Sequence, residues 1–177
     1  MEITSHTVID SPVGPLTLVG RGGVLTGVYF AHHWYRPDPA TFGPRDDTGF
    51  TEAARRFGEY FAGRRTVFDL PVDAAGDEFQ HAVWRRIAAV PYGATTTYGD
   101  IARDLGDPSL ARDVGAAVGR NPLSIVVACH RVVGKGGRLT GYAGGLRRKQ
   151  FLLDLERGSS SDGALTLALE LGATMGG

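Results

Sequence analysis

The sequence is short of cysteine, of net charge and of long apolar runs, and each shortage narrows what it can be. Cys129 is the only cysteine in 177 residues, which excludes an internal disulfide and any zinc site built from several thiolates. A lone thiol fits a reducing compartment, so a cytoplasmic protein is expected. No apolar run approaches the roughly 20 residues of a membrane span, and the first residues lack a signal-peptide pattern. His32 and His33 are adjacent, but with no further ligands close by they do not make a metal site. Lys and Arg balance Asp and Glu at 19 each, which argues weakly against a nucleic-acid partner. The balance is uneven, however. Residues 78–157 hold twelve basic and seven acidic side chains, whereas residues 1–77 hold seven and ten. Positive charge gathers around Cys129, as a polyanion partner requires, although many solvated faces carry as much.

What is present divides into a small N-terminal α+β unit (1–76), a second unit (77–157) and a Gly, Ser and Ala-rich tail (158–177) expected to be mobile. Thr7-Val8-Ile9, Leu16–Val19 and Val24–Phe30, separated by Pro/Gly turns, predict an antiparallel three-stranded meander. Residues 31–48, with three prolines, read as an irregular loop. Phe50, Ala53, Ala54, Phe57, Tyr60 and Phe61 recur at helical spacing and predict a helix over 50–62. Val67–Val72 is a candidate strand. Phe79, Ala82, Val83, Ile87 and Val90 mark a helix over 77–89, with His81 and Trp84 on it as packing residues.

Residues 99–119 form two short helices around Asp107-Pro108-Ser109, a helix-turn-helix pattern. At 100° per residue the second helix gathers Leu110, Val114, Ala117 and Val118 on a core stripe. Its opposite stripe is Arg112, Gly115, Ala116 and Gly119: one long cation on a nearly bare face. Helix-interior glycine costs about 1 kcal/mol relative to alanine, so something approaches closely. A DNA groove with Arg112 inserted is one candidate; another helix packed there is the alternative.

Ser124–Val133 is an apolar, β-branched run that reads as a buried strand and ends in Cys129-His130-Arg131. A thiol and an imidazole side by side suit a cysteine nucleophile, and a structural buried cysteine would look the same. Leu139–Leu146 is a glycine-rich loop leading into a helix that carries Phe151, Leu152, Leu153 and Leu155 inward. It lacks the spacings of a P-loop or dinucleotide motif. Glu156 shares a face with Leu152 and Lys149. In the last turn it opposes the helix dipole, so it either has a partner elsewhere or is a solvated terminal carboxylate.

These motifs, in order, resemble the O6-alkylguanine-DNA alkyltransferases of the bacterial Ogt type: Pro91-Tyr92-Gly93, Thr97-Tyr98-Gly99, Ala111-Arg112, Asn121-Pro122, Cys129-His130-Arg131-Val132-Val133-Gly134, Leu139–Leu146 and Leu152–Glu156. Ile9–Leu16 is similar to the family's N-terminal domain. The resemblance implies an RNase-H-like α+β N-terminal domain with an antiparallel sheet and a mainly helical C-terminal domain with a helix-turn-helix. It implies direct, cofactor-free transfer of an alkyl group from guanine O6, or thymine O4, in double-stranded DNA to Cys129, once per molecule. His130 would deprotonate the thiol through a water, Glu156 would polarise His130, and Asn121 would hold the geometry beside the thiol. Tyr98 would lie over the extruded base as a hydrogen-bond donor, with Tyr142 and Lys149 in the pocket. The backbones of Cys129, Val132 and Ala143 would read the guanine edge. Arg112 would fill the stack from the helix face of Gly115, Ala116 and Gly119. A monomer that can cluster on DNA is implied, and no metal: relatives that hold zinc use N-terminal cysteines, absent here.

Two positions depart from the family pattern. Ala128 stands where proline usually precedes the cysteine, and Asp113 where a small residue is usual. A cysteine hydrolase using Cys129, His130 and Glu156 is the competing enzyme reading, and would turn over repeatedly. A non-catalytic lesion-binding module is the competing binding reading, but such proteins lack the cysteine. A different alkylated substrate is the third alternative.

Overall fold

The computed structural model describes residues 2–158, so the expected tail lies almost wholly outside the described residues. The N-terminal unit is the predicted antiparallel meander, β1 (Ser5–Ile9), β2 (Leu16–Arg21) and β3 (Val24–Phe30), in that order. A bulge at Val19/Gly20 shifts the β2–β3 register. Helix α1 (Thr51–Phe61) packs Phe57 and Tyr60 into the core shared with Leu16, Leu18 and Phe30.

Both outer edges of this sheet are paired in part. His6 of β1 exchanges backbone hydrogen bonds with Pro44 and Asp46. On the other side Leu25 of β3 bonds Pro71 and Asp73, and the Val28 N–H donates to Pro122 O. The candidate strand over Val67–Val72 is therefore a correction: it contributes one isolated bridge, Leu25 to Val72. Asp69, at φ +51, and Pro71 interrupt the extended backbone that a ladder needs.

Helix α2 (Glu78–Ala88) begins in a capping box, Asp77 accepting from the Gln80 N–H and Gln80 from the Asp77 N–H. Thr97 caps α3 (Tyr98–Asp104), Gly106 turns the chain at φ +96, and a 3-10 turn over Pro108–Leu110 feeds α4 (Ala111–Gly119). The helix-turn-helix is docked by Trp84, whose indole N–H donates to the carbonyl of Ala117 at 2.9 Å. Val114, Ala117 and Val118 face inward as predicted. A two-residue parallel ladder joins β4 (Thr96–Thr97) to β5 (Val132–Val133), and α5 (Leu146–Glu156) closes the described chain. One apolar core runs from the sheet through α1 and α2 to α4 and α5.

Candidate active site

The stretch that reads as a buried strand is not one. Residues 121–131 fold as consecutive tight turns, and only Val132–Val133 pairs as a strand. The Val126 N–H donates to Ser124 O across Ile125, which has φ +72, a three-residue turn of the strained hand. The Val127 N–H then donates to Leu123 O, and the Cys129 N–H to Val127 O across Ala128. Positive φ in a β-branched residue costs on the order of 1–3 kcal/mol and persists only where the surroundings impose it. Asn121 imposes it. Its amide donates to Val127 O at 2.8 Å, and its oxygen accepts from the Leu123 N–H at 2.9 Å. The apolar residues are buried because the turns lie under the N-terminal sheet at Val28, not because they form a ladder. Cys129 and His130 sit in the short 3-10 turn that follows.

Ala128 explains its own tolerance. Its φ of −78° and ψ of 63° are those of an inverse γ-turn, and that φ is within proline's range. The hydrogen bonds of the turn come from Val126, Val127 and Cys129, not from the Ala128 N–H. The backbone thus holds by hydrogen bonding the shape a proline would fix covalently. Ala128→Pro is expected to raise stability by about 0.4–1 kcal/mol through the unfolded state, read as a rise of about 1–4 °C in Tm. A fall in Tm would show that the turn is not preorganised for proline.

Cys129 lines a cavity of about 410 Å³ with Tyr98, Arg112, Gly115, Gly119, Tyr142 and Ala143, a size suited to a small planar ligand. The β4–β5 ladder sets Thr97 opposite Val133, which brings the first residue of α3, Tyr98, beside the cysteine turn. The Thr140 hydroxyl donates to the Tyr98 oxygen at 3.1 Å, leaving the phenol proton free to donate elsewhere. A Cβ on Gly115 or Gly119 would meet only Tyr98 at 3.7 Å or Trp34 at 4.0 Å. Among the described residues no packed helix covers the bare face, and Arg112 is exposed beside it. Ala116 is exposed on a neighbouring groove with Asp113 and Arg120, away from the cysteine cavity.

The sulfur is nearly fully buried. Burial pushes its pKa up, while Asn121, the Lys149 ammonium and the Tyr142 hydroxyl pull it down without prevailing. The Tyr142 oxygen lies near the sulfur but lacks a well-formed hydrogen bond among the described residues. Lys149 lies outside the cavity wall. Its buried ammonium reaches the carbonyls of Thr140 and Gly141 at 3.4 and 3.3 Å, bracing the glycine-rich loop from behind. Burial lowers its pKa to about 8. Val132 is likewise buried in β5 outside that wall, and its N–H donates to Cys129 O.

His130 and Glu156 meet. Nε2 of His130 lies 2.8 Å from Oε2 of Glu156, and the facing Nδ1 has no hydrogen-bond partner among the described residues. An ionised carboxylate only accepts, so Nε2 carries the proton and Nδ1 is the basic atom. Burial lowers the His130 pKa, opposed by Glu156 and reinforced by Arg131 and Lys149, so the ring is neutral. Burial would raise Glu156, but hydrogen bonds from His130, Arg131 and Tyr60 outweigh it and hold the carboxyl at about 2. Arg131 grips it with Nε at 2.7 Å and Nη2 at 3.0 Å, and the Tyr60 hydroxyl donates at 2.6 Å. The carboxylate is therefore a buried partner, not a solvated helix end.

Four further contributors had no role assigned from the sequence. Tyr60 merges with the apolar stripe of α1. Arg131 hides behind its two neighbours. Trp34 enters the cavity wall from the irregular loop, its backbone N–H donating to Ala143 O at 3.1 Å. Arg148 is buried, donating to Val13 O and Gly144 O, and pins the glycine-rich loop to the first β-turn. A Cβ on Gly144 would strike the Phe30 ring at 2.6 Å, which explains that glycine.

Fold and site together define a class: a buried cysteine in a cavity wall, followed by a histidine hydrogen-bonded to a glutamate, with a helix-turn-helix lining the same cavity. Two family models match in tandem, "6-O-methylguanine DNA methyltransferase, ribonuclease-like domain" over residues 5–74 and "6-O-methylguanine DNA methyltransferase, DNA binding domain" over residues 78–158. Methylated-DNA–protein-cysteine methyltransferase of Mycolicibacterium paratuberculosis is 49% identical over 164 residues, covering 92% of this chain and 97% of the relative. That of Mycobacterium bovis is 46% identical over 162 residues, with the same coverage. The crystal structure of Mycobacterium tuberculosis OGT in complex with DNA superposes with a TM-score of 0.84 at 44% identity, covering 92% of this chain and 98% of that one. The chain belongs to the 6-O-methylguanine DNA methyltransferase family.

Proposed function

We propose that this protein repairs alkylated DNA by direct reversal, moving a methyl or larger alkyl group from guanine O6, and from thymine O4, to the sulfur of Cys129. The observation that carries the reading is Cys129 in the wall of a base-sized cavity, next to a buried neutral His130 whose proton-bearing nitrogen is fixed by Glu156.

His130 Nδ1 takes the thiol proton, through one water, and the imidazolium supports the thiolate that burial alone disfavours. The sulfur attacks the alkyl carbon, the S–C bond forms and the C–O6 bond breaks. The electron pair leaves with guanine, which takes up a proton, and the free phenol proton of Tyr98 is placed to donate. Asn121 keeps the turn beneath the sulfur in register. Lys149 holds the loop whose Tyr142 and Ala143 face the base, while the Cys129 backbone reads its edge and Val132, from behind the wall, holds that backbone. A thioether is not hydrolysed by water, so each molecule reacts once and needs no cofactor.

A base inside duplex DNA must leave the stack first, at a cost of a few kcal/mol. The face of Arg112, Gly115 and Gly119 lets DNA approach while Arg112 fills the gap, with Ala116 at the rim. Residues 1–76 and 77–157 act as the supporting and reacting domains. The protein works in the cytoplasm as a monomer that can cluster on DNA. No helix among the described residues is long and apolar enough to cross a membrane.

The test is incubation with a duplex carrying radiolabelled O6-methylguanine. One label per protein molecule, recovered as S-methylcysteine at position 129, is expected. Continued turnover would instead favour a hydrolase, and absence of label would remove the reading. Arg112→Ala is expected to slow repair in duplex DNA by about tenfold or more, yet leave reaction with free O6-benzylguanine within about twofold. Equal losses on both substrates would sink the role given to this helix face.

A further inference from the structure

We infer that Tyr60, contributed by the N-terminal unit, is a positioning residue of the His130–Glu156 relay and sets the basicity of His130. The inference rests on the reading of Cys129 and His130 above.

The observation is a count of donors on one carboxylate. Oε2 of Glu156 accepts from Tyr60 at 2.6 Å, from His130 at 2.8 Å and from Arg131 Nη2 at 3.0 Å, and Oε1 accepts from Arg131 Nε at 2.7 Å. An ionised carboxylate offers about two lone-pair sites on each oxygen, so among the described residues Oε2 is fully engaged by its three donors. Tyr60 is 1% exposed, and its ring is held against Phe61 and Phe68. It donates to the very oxygen that fixes the imidazole. Charge drawn from Oε2 by the phenol is charge not felt by the proton on His130 Nε2. Tyr60 and Arg131 thus keep Glu156 an orienting acceptor rather than a strong attractor of imidazolium. His130 therefore stays neutral, the form that can accept the thiol proton at Nδ1.

Among the described residues, the groups facing His130 and Glu156 from the packed elements are Tyr60 of α1, Tyr92 and Arg131 of the connecting loops, Tyr142 of the glycine-rich loop, and Lys149 of α5. Tyr92 donates to Leu155 O and not to the carboxylate. Of the two described groups that donate to Glu156 besides His130, Arg131 belongs to the cysteine motif and Tyr60 comes from the other unit.

Tyr60→Phe keeps the ring and removes the donor. Glu156 then attracts the His130 proton more strongly. His130 is expected to titrate at higher pH by about half a unit or more, read from the ring resonances of histidine-labelled protein. The acid limb of single-turnover alkyl transfer from free O6-benzylguanine should move up in pH by the same amount, and the rate below that limb should fall about threefold. Phe57→Leu, which loosens the same core without touching Glu156, is the control. It should lower Tm and leave both the His130 titration and the acid limb in place. An unchanged His130 titration in Tyr60→Phe, or an equal shift in Phe57→Leu, would overturn the inference. If the wild-type protein accepts no alkyl group, the functional reading fails, while the resonance titration still decides the role of Tyr60.

Discussion

Protein carrying Cys129→Ser is expected to bind a duplex containing O6-methylguanine and leave it unrepaired, with alkyl uptake reduced by about 10⁴-fold or more. Serine nearly preserves the shape of a side chain that is 2% exposed in packed surroundings, so the fold and DNA surface remain. What is lost is acidity. Burial already raises the pKa of Cys129 and lowers that of His130. In the proposed mechanism the thiolate forms because an imidazole takes the thiol proton through a water. A buried alcohol does not give up its proton in this way. Uptake is measured as label transferred per molecule, and affinity as retention of the lesion duplex. Residual transfer near the wild-type rate would mean that another group accepts the alkyl, and Cys129 is the sole thiol.

Glu156→Gln is expected to have the second largest effect, on both rate and stability. The amide cannot replace the charge that Arg131 grips, so a largely buried guanidinium loses its counter-ion. Breaking such a pair costs about 3–5 kcal/mol. His130 also loses the acceptor that fixes its tautomer, which should slow alkyl transfer by about 10²-fold or more. The pH dependence separates this from general damage. The folded-state pKa of Glu156, about 2, lies below its ordinary value of 4.5. Its contribution to stability is therefore whole above the unfolded value and lost as pH falls from about 4.5 toward 2. Urea titrations across that window should show a shallower acid loss in Glu156→Gln than in wild type. Identical slopes would remove Glu156 as the titrating group.

Helices and the meander were legible because their periodicities, 3.6 and 2, are written into which residues are apolar. The helix-turn-helix followed, as did the conjunction of Cys129, His130 and Glu156 through the resemblance. The cysteine stretch misled for a physical reason. A short apolar β-branched run buried on every side has no periodicity to report, so it looks the same whether it is a strand or a set of turns. Ile125 strengthens the illusion, since its type favours strands while Asn121 forces it to positive φ. Tyr60 was invisible for a different reason. A tyrosine on an apolar helical stripe does not announce its hydroxyl, and here the acceptor lies 96 residues away. Val67–Val72 failed because one paired residue beside a proline is not a ladder.

The partly paired edges of the sheet carry one more implication. A three-stranded sheet ordinarily presents two rows of unpaired N–H and C=O groups, which can recruit strands from other molecules. Here residues 44–46 take up part of one side, and residues 71–73 and 122–123 take up part of the other. The same turns that hold Cys129 in place thus also withdraw β3 from intermolecular pairing. Loosening them, for instance at Asn121, is expected to open a route to aggregation at the same time as it displaces the nucleophile.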